Sequence, residues 1–359
     1  MAVVGAGAIG SATARALARD GRRALLLEQF EVGHPRGSSR GQTRIFRHAY
    51  AEEHYVRLMQ DARGAWAELE LEAGERLVRT TGALNCGPGT EASAAAMAAA
   101  GVEHEWLDGS TAASAFPALD LAGVDRLLFH PDAGIVAADA AIRSCVRLAV
   151  EGGVVLRERT RVEAIEADGE GVAIRTGDGT VHADCVVVTA GAWSPGLLGS
   201  AGIAVDVAPS STHVAYFTGA GDDEHLPVFV EHFDDDPGSY AYVVPSAGGS
   251  GVKVGRNWPV RDRVDPDARS LEPDPAVVAL HAEYVRRRLP GLDAGSASGE
   301  SCLYDMTQSE DFVLDRRGPI VVGTGFSGHG FKFMPLIGRL LAAAVDGAPL
   351  PEHFRLDRA

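Results

Sequence analysis

Lysine is almost missing from this chain. Of its 359 residues 33 are basic, yet lysine stands only at positions 253 and 332, and arginine supplies the other 31. Positive charge is scarce overall: 49 acidic residues leave a formal net charge of −16. A negative field of that size opposes nucleic acid and anionic membranes, which excludes both as natural partners. Cysteine is sparse too. Cys86, Cys145, Cys185 and Cys302 are dispersed, with no Cys-x-x-Cys and no paired histidines. That argues against a zinc site or disulfide scaffold and predicts no metal and a reducing, cytoplasmic setting. No run approaches the roughly 18 apolar residues of a membrane span. The apolar start, Met1 to Gly10, lacks the basic opening and cleavage site of a leader. What is present, 46% hydrophobic residues and 43 glycines, suits a globular α/β protein of two domains or one elaborate unit.

The first 28 residues carry the clearest motif. Ala2-Val3-Val4 reads as a short strand and Gly5-Ala6-Gly7-Ala8-Ile9-Gly10 as the turn after it. Ile9, Ala12, Ala16 and Leu17 then recur at helical spacing, Gly21 stops the helix, and a second apolar run ends at Glu28. Gly-x-Gly-x-x-Gly between strand and helix, followed by an acid at the end of the next strand, predicts a dinucleotide site. The glycines admit the pyrophosphate to the helix N-terminus, and Glu28 accepts from a ribose hydroxyl. The motif serves both nicotinamide and flavin dinucleotides.

Beyond it, the spacing predicts helices over 53–72, 91–100 and 137–152, and strands at 80–86 and in four runs between Val154 and Val188. The last run, Cys185 to Trp193, is an unbroken apolar strand ending in small residues, as for a buried parallel strand approaching a ligand. Strands at 212–217, 228–232, 240–244 and 252–256 with a helix over 277–289 predict an antiparallel sheet. Ile320-Val321-Val322-Gly323 then enters a second glycine-rich turn, followed by a helix through Leu336, Leu340 and Val345. The expected class is mixed α/β. A discontinuous Rossmann-like cofactor domain spans 1–75, 133–205 and 295–359, and an inserted antiparallel-sheet substrate domain spans 76–132 and 206–294.

Three strings carry a family resemblance: Gly5-Ala6-Gly7, Gly41-Gln42-Thr43-Arg44-Ile45-Phe46-Arg47-His48-Ala49-Tyr50, and Gly325-Phe326-Ser327-Gly328-His329-Gly330-Phe331-Lys332-Phe333. The chain resembles the monomeric sarcosine oxidase and N-methyltryptophan oxidase family, FAD-dependent amine oxidases with the D-amino-acid-oxidase type of fold. The resemblance implies FAD tethered through an 8α-S-cysteinyl bond, with Cys302 of Cys302-Leu303-Tyr304 in the tether position. Both lysines fall on functional positions. Lys253, in Gly248-Gly249-Ser250-Gly251-Val252-Lys253-Val254-Gly255, matches a lysine that activates oxygen, where a fixed ammonium stabilises developing negative charge. Lys332 and Arg47 match the pair that binds the substrate carboxylate. Arg44 matches an arginine beside the flavin ring, and Tyr242 and Tyr304 match pocket aromatics. Ordinary strand packing accounts equally for the two tyrosines. The cofactor-binding set implied is Gly5, Gly7, Ile9, Gly10, Glu28, Gln29, His34, Ser39, Thr43, Arg44, Val162, Gly191, Trp193, Gly325, Gly328, His329, Gly330 and Lys332.

Some positions depart from the family. Arg40 and Asn257 replace histidines, Phe229 replaces a methionine, and the segment His232 to Gly238 is longer and acidic. The expected activity is oxidation of a secondary amino acid, N-methyl or cyclic, to an imine with oxygen reduced to hydrogen peroxide, by a monomer or small homo-oligomer. An FAD dehydrogenase using another acceptor, and a non-catalytic flavin-carrying subunit, are the competing readings.

Overall fold

The computed structural model describes every residue except Glu170, 220–224, Gly248, Ser250, 259–262 and Ala359. Gly248 and Ser250, in the glycine-rich string before Lys253, therefore lie outside the described residues.

A six-stranded sheet runs Val313–Arg317, Ile320–Thr324, Val186–Val188, Ala2–Val4, Leu25–Leu27, Val155–Arg157, parallel except at the first pairing. Its strands are short and apolar on both faces because both faces are covered. Val3, Leu26, Val187 and Val321 face helices Ala8–Arg19, Ala138–Glu151 and Met334–Val345. Their neighbours Ala2, Val4, Val186, Val188 and Val322 face a small sheet of Val162–Asp168, Gly171–Thr176 and Gly179–Ala183. The segment 154–188 thus holds five short strands, one more than the sequence pattern separates, because Val155–Arg157 leaves the meander to extend the six-stranded sheet.

An eight-stranded sheet runs Ser298–Met306, Ala208–Phe217, Val252–Asn257, Tyr240–Val244, Val228–His232, Ala83–Cys86, Arg126–His130, Glu105–Asp108. Its pairings are antiparallel except Val228–His232 with Ala83–Cys86. Those two strands come from segments far apart in the chain, so no hairpin dictates their direction. One face buries Phe217, Phe229, Val243, Val252 and Val254 against helix Pro275–Arg288. Arg288 of that helix pairs with Glu231 at 2.5 Å, both nearly buried, which joins helix to sheet. The other face packs on a second small sheet, Thr43–Phe46, Gly134–Ala137, Val78–Thr80. Strand Ser298–Met306, within the block 295–359, thus lies in the sheet built mainly from 76–132 and 206–294. No helix is long and apolar enough to cross a membrane among the described residues.

Candidate functional site

A cleft of about 720 Å³ opens where the parallel strands end. Helix Ala8–Arg19 begins at Gly7, which has no side chain to cap it, and its first turn borders the cleft. The glycines are required by close approach. A Cβ on Gly10 would sit 1.8 Å from the Gly5 carbonyl oxygen, and Gly5 itself has φ +94° with Thr189 O 2.6 Å from its missing Cβ. Ser39 Oγ accepts from Ala8 N at 3.0 Å and lies against Gly7.

Glu28 is almost buried and accepts from Ala6 N at 2.8 Å and Phe30 N at 3.0 Å, with His34 Nε2 at 3.4 Å. Burial pushes its carboxyl upward, but the hydrogen bonds from His34, Ala6 and Phe30 outweigh that and hold it below the usual carboxylate range. It is therefore an ionised acceptor at the cleft wall.

Of the residues singled out from sequence, Gly5, Gly7, Ile9, Glu28, Gln29, His34 and Ser39 line one end of the cleft. Val162, Gly191 and Trp193 line its flank, and Arg44, Tyr304, Gly328 and Gly330 its far end. Gly10, Thr43, Gly325, His329 and Lys332 are not on its wall. Gly10 packs on Gly5, and Gly325, with φ +68°, packs on Thr307 and Val313. Thr43 gives its carbonyl to Lys253, and His329 and Lys332 belong to a polar chain described below. The volume of the cleft, the helix N-terminus on its wall and the ionised Glu28 together fit an FAD molecule.

Strand alternation sets the next layer. On the face of the eight-stranded sheet turned toward the cleft stand Lys253, Gly255 and Asn257, then Tyr240 and Tyr242, then Tyr216, then Glu300, Cys302 and Tyr304. Gly255 leaves room for the Tyr242 ring, whose Cζ would lie 2.3 Å from a Cβ there. Tyr304 lies against Gly328 in the same way, and its side chain hydrogen-bonds Tyr242. Burial, then Tyr304 and Cys302, push the Tyr242 hydroxyl well above its ordinary range, so it stays protonated.

Lys253 is 5% exposed and donates to Thr43 O at 3.4 Å. Burial and then the Arg44 guanidinium push it down to about 7, against the pull of Cys302, Glu300 and Asp139. Arg44 is fixed by donating to Ser38 O at 2.7 Å and Thr43 O at 2.9 Å, beside the Phe331 ring. Cys302 is half-buried on its strand, whereas Cys86, Cys145 and Cys185 are buried. Desolvation pushes the Cys86 and Cys145 thiols up to about 12.

The face ends in two cations. Lys332 Nζ donates to Tyr50 Oη at 2.9 Å and to His329 O at 2.8 Å. Tyr50 Oη meets His329 Nδ1 at 3.1 Å, and His329 Nε2 meets Glu310 O at 2.9 Å. The Glu310 carbonyl can only accept, so His329 carries its proton on Nε2 and Tyr50 donates to Nδ1. Burial, then Lys332, push His329 down to about 3, so it is neutral. Arg47 Nη1 donates to Asn85 Oδ1 at 3.3 Å, and its guanidinium lies 5.5 Å from the Tyr50 ring centroid and 5.9 Å from that of Tyr240. Burial, then Arg47, push Lys332 well below the ordinary lysine range. Among the described residues, neither Arg47 nor Lys332 pairs with a carboxylate, in a chain with 49 acids. Two neighbouring cations without an acid form a site for an anion.

The departures fall into four places. Asn257 is on the cleft-facing side with Lys253. Phe229 is on the opposite face, fully buried among Val243 and Val254, so strand alternation takes it out of the pocket wall. Arg40 lies at the rim, 3.5 Å from Glu300. The acidic segment is folded down by Asp236, which pairs with Arg256 at 2.7 Å. Tyr50 and Asn85 were not among the candidate residues. Tyr50 closes the Gly41–Tyr50 string, which was its available signal, while nothing local marks Asn85.

Comparison with known proteins agrees with this geometry. A monomeric sarcosine oxidase from Bacillus sp. (strain NS-129) is 32% identical over 355 residues, covering 95% of this chain and 91% of that protein. An N-methyl-L-tryptophan oxidase from Salmonella enteritidis PT4 (strain P125109) is 30% identical, covering 95% and 92%. The solved structure of NikD, an unusual amino acid oxidase essential for nikkomycin biosynthesis, matches with a TM-score of 0.89 at 26% identity, covering 99% of this chain and 96% of that one. The sequence profile of the FAD dependent oxidoreductase family matches residues 1–344. With that profile, the sarcosine oxidase relatives and the cleft in agreement, the chain belongs to the FAD dependent oxidoreductase family.

Proposed function

We propose that this protein is a flavoprotein amine oxidase that converts a secondary amino acid, N-methyl or cyclic, to an imine and passes the electrons to oxygen as hydrogen peroxide. The observation that carries this reading is the acid-free cation pair, Arg47 and Lys332, next to the face that bears Lys253, Tyr242 and Tyr304. The relatives named for sarcosine and N-methyltryptophan support the substrate class. Gly5, Gly7, Ser39 and the helix N-terminus would hold the pyrophosphate of FAD, Glu28 its ribose, and Arg44, Tyr304 and Gly328 would meet its ring end. Cys302, half-buried on the cleft-facing side, would supply an 8α-S-cysteinyl tether. When bound, the flavin supplies two-electron oxidation of a carbon–nitrogen bond.

The protein's own residues do the rest. Arg47 grips the substrate carboxylate and Lys332 adds a compact second charge, fixing the α-carbon. The chain Lys332–Tyr50–His329–Glu310 holds that ammonium in one position. Arg44, Arg47, Lys253 and Lys332 make the pocket positive, which disfavours a substrate ammonium. The amine therefore loses its proton to solvent on binding, and no general base is needed. Lys253 would stabilise negative charge developing on oxygen.

The test is anaerobic mixing of the purified protein with sarcosine, N-methyl-L-tryptophan, L-proline and L-pipecolate, followed by air and a peroxide assay. Bleaching at about 450 nm, then one peroxide per amine consumed, is expected; the wavelength is the ordinary flavin band. Bleaching without peroxide would assign a dehydrogenase. No bleaching with any secondary amine would leave a flavin carrier.

A further inference from the structure

Outside the catalytic face, one group of side chains converges with no role in amine oxidation. His54 stands in the first turn of helix Glu53–Ala73, Asp311 precedes strand Val313–Arg317, and His353 lies in the C-terminal turn Glu352–Phe354. Each offers one ligand atom, and these atoms lie within 4.8 Å of one another. His353 Nε2 is 3.3 Å from Asp311 Oδ2, and His54 Nε2 is 3.9 Å from Asp311 Oδ1. The two imidazole centroids are 4.0 Å apart.

We propose that His54, Asp311 and His353 form a site for a divalent transition-metal ion of the zinc class, which ties the C-terminal segment to the helix and loop beneath it. Two imidazoles and one carboxylate suit zinc over magnesium or calcium, which prefer all-oxygen shells. Bonds of about 2.0–2.1 Å in tetrahedral arrangement place ligand atoms about 3.3 Å apart. The Asp311–His353 pair already has that separation, and the other ligand atoms, all within 4.8 Å of one another, would draw together on an ion.

Two further observations point to a cation. His54 Nε2 is buried and has no hydrogen-bond partner, although a carboxylate faces it at 3.9 Å. The Asp311–His353 contact at 3.3 Å accounts for those two residues but leaves this nitrogen stranded, whereas a metal satisfies all three. The carboxylate is also oriented from behind. Tyr55 Oη donates to Asp311 Oδ1 at 2.9 Å, the kind of outer contact that fixes a ligating carboxylate. Tyr55 in turn stacks on Tyr50 at 5.0 Å, so the site backs the support of Lys332. The half-exposed His353 leaves the fourth position open to solvent.

The experiment is calorimetric titration of chelator-treated holoenzyme with zinc chloride, beside His353→Ala, Asp311→Asn and a surface control, His182→Ala. One zinc per chain is expected, with affinity at least about tenfold weaker in His353→Ala and Asp311→Asn and unchanged in the control. Magnesium chloride is expected to give no binding heat. Absence of stoichiometric zinc binding, or unchanged affinity in His353→Ala, would overturn the assignment. His353→Ala alters an exposed side chain near the C-terminus, so it keeps the test valid if Asp311→Asn fails to fold.

Discussion

Replacing Lys253 with methionine should make the protein more stable and slower with oxygen, both from one cause. Lys253 is 5% exposed, and burial with Arg44 beside it pushes its ammonium from 10.5 down to about 7. In the unfolded chain the same group titrates near its ordinary value, about 10.4. Between about pH 7 and pH 10.5 the folded state therefore binds fewer protons than the unfolded state, and stability rises with pH across that window. Below pH 7 the full cost of burying the ammonium is present. At about 1.4 kcal/mol per tenfold change in proton affinity, that cost is about 5 kcal/mol. Methionine has similar length and no charge. At pH 6 the variant should unfold about 10 °C above the parent, taking roughly 2 °C per kcal/mol for a chain of this size, and the gap should close toward pH 10. Stopped-flow measurement of the two half-reactions gives the functional side. Reduction by substrate should change less than about threefold, while reoxidation by oxygen should fall on the order of a hundredfold. In the parent protein, reoxidation should slow as pH rises through about 7, as the ammonium is lost. A thermal gap independent of pH, or equal slowing of both half-reactions, would refute the reasoning.

Three further outcomes are expected. Arg47→Ala should raise KM for the amino acid about 30- to 150-fold with a smaller effect on kcat, because a charge-assisted hydrogen bond to carboxylate contributes about 2–3 kcal/mol of binding. An equal loss in kcat would move Arg47 from binding to chemistry. Gly10→Ala should abolish flavin retention, since its Cβ would overlap the Gly5 carbonyl at 1.8 Å; a yellow variant would contradict the close packing of helix on strand. Cys302→Ala should release flavin into the supernatant on acid precipitation while the parent keeps colour in the pellet. Colour retained in the variant pellet would place the tether elsewhere.

How much of this was legible beforehand varies with how local the signal is. The glycine turn, Glu28 and the flanking strand and helix lie within 28 residues, and each choice is forced by backbone geometry, so the dinucleotide site could be read directly. The rarity of lysine marked Lys253 and Lys332 before any coordinates, and both proved buried. Pairing across the chain was harder. The strand Ser298–Met306 opens on Ser298-Gly299-Glu300-Ser301, which has no apolar pattern, because its residues are held by hydrogen bonds to Ala208–Phe217 more than by burial. Phe229 departs from the family by type, and only the register shows that it is turned to the face opposite the cleft.

Sequence alone determined the cofactor class, the mixed α/β architecture and the two unusual cations, because turns, alternation and charge choice are written in short stretches. Only the tertiary structure decided which side each strand shows the cleft, that Tyr50 and His329 support Lys332, and that Arg47 and Lys332 stand together without an acid. It alone also brought His54, Asp311 and His353 within reach of one another. Those facts depend on contacts between segments separated by tens to hundreds of residues, and no local propensity encodes them.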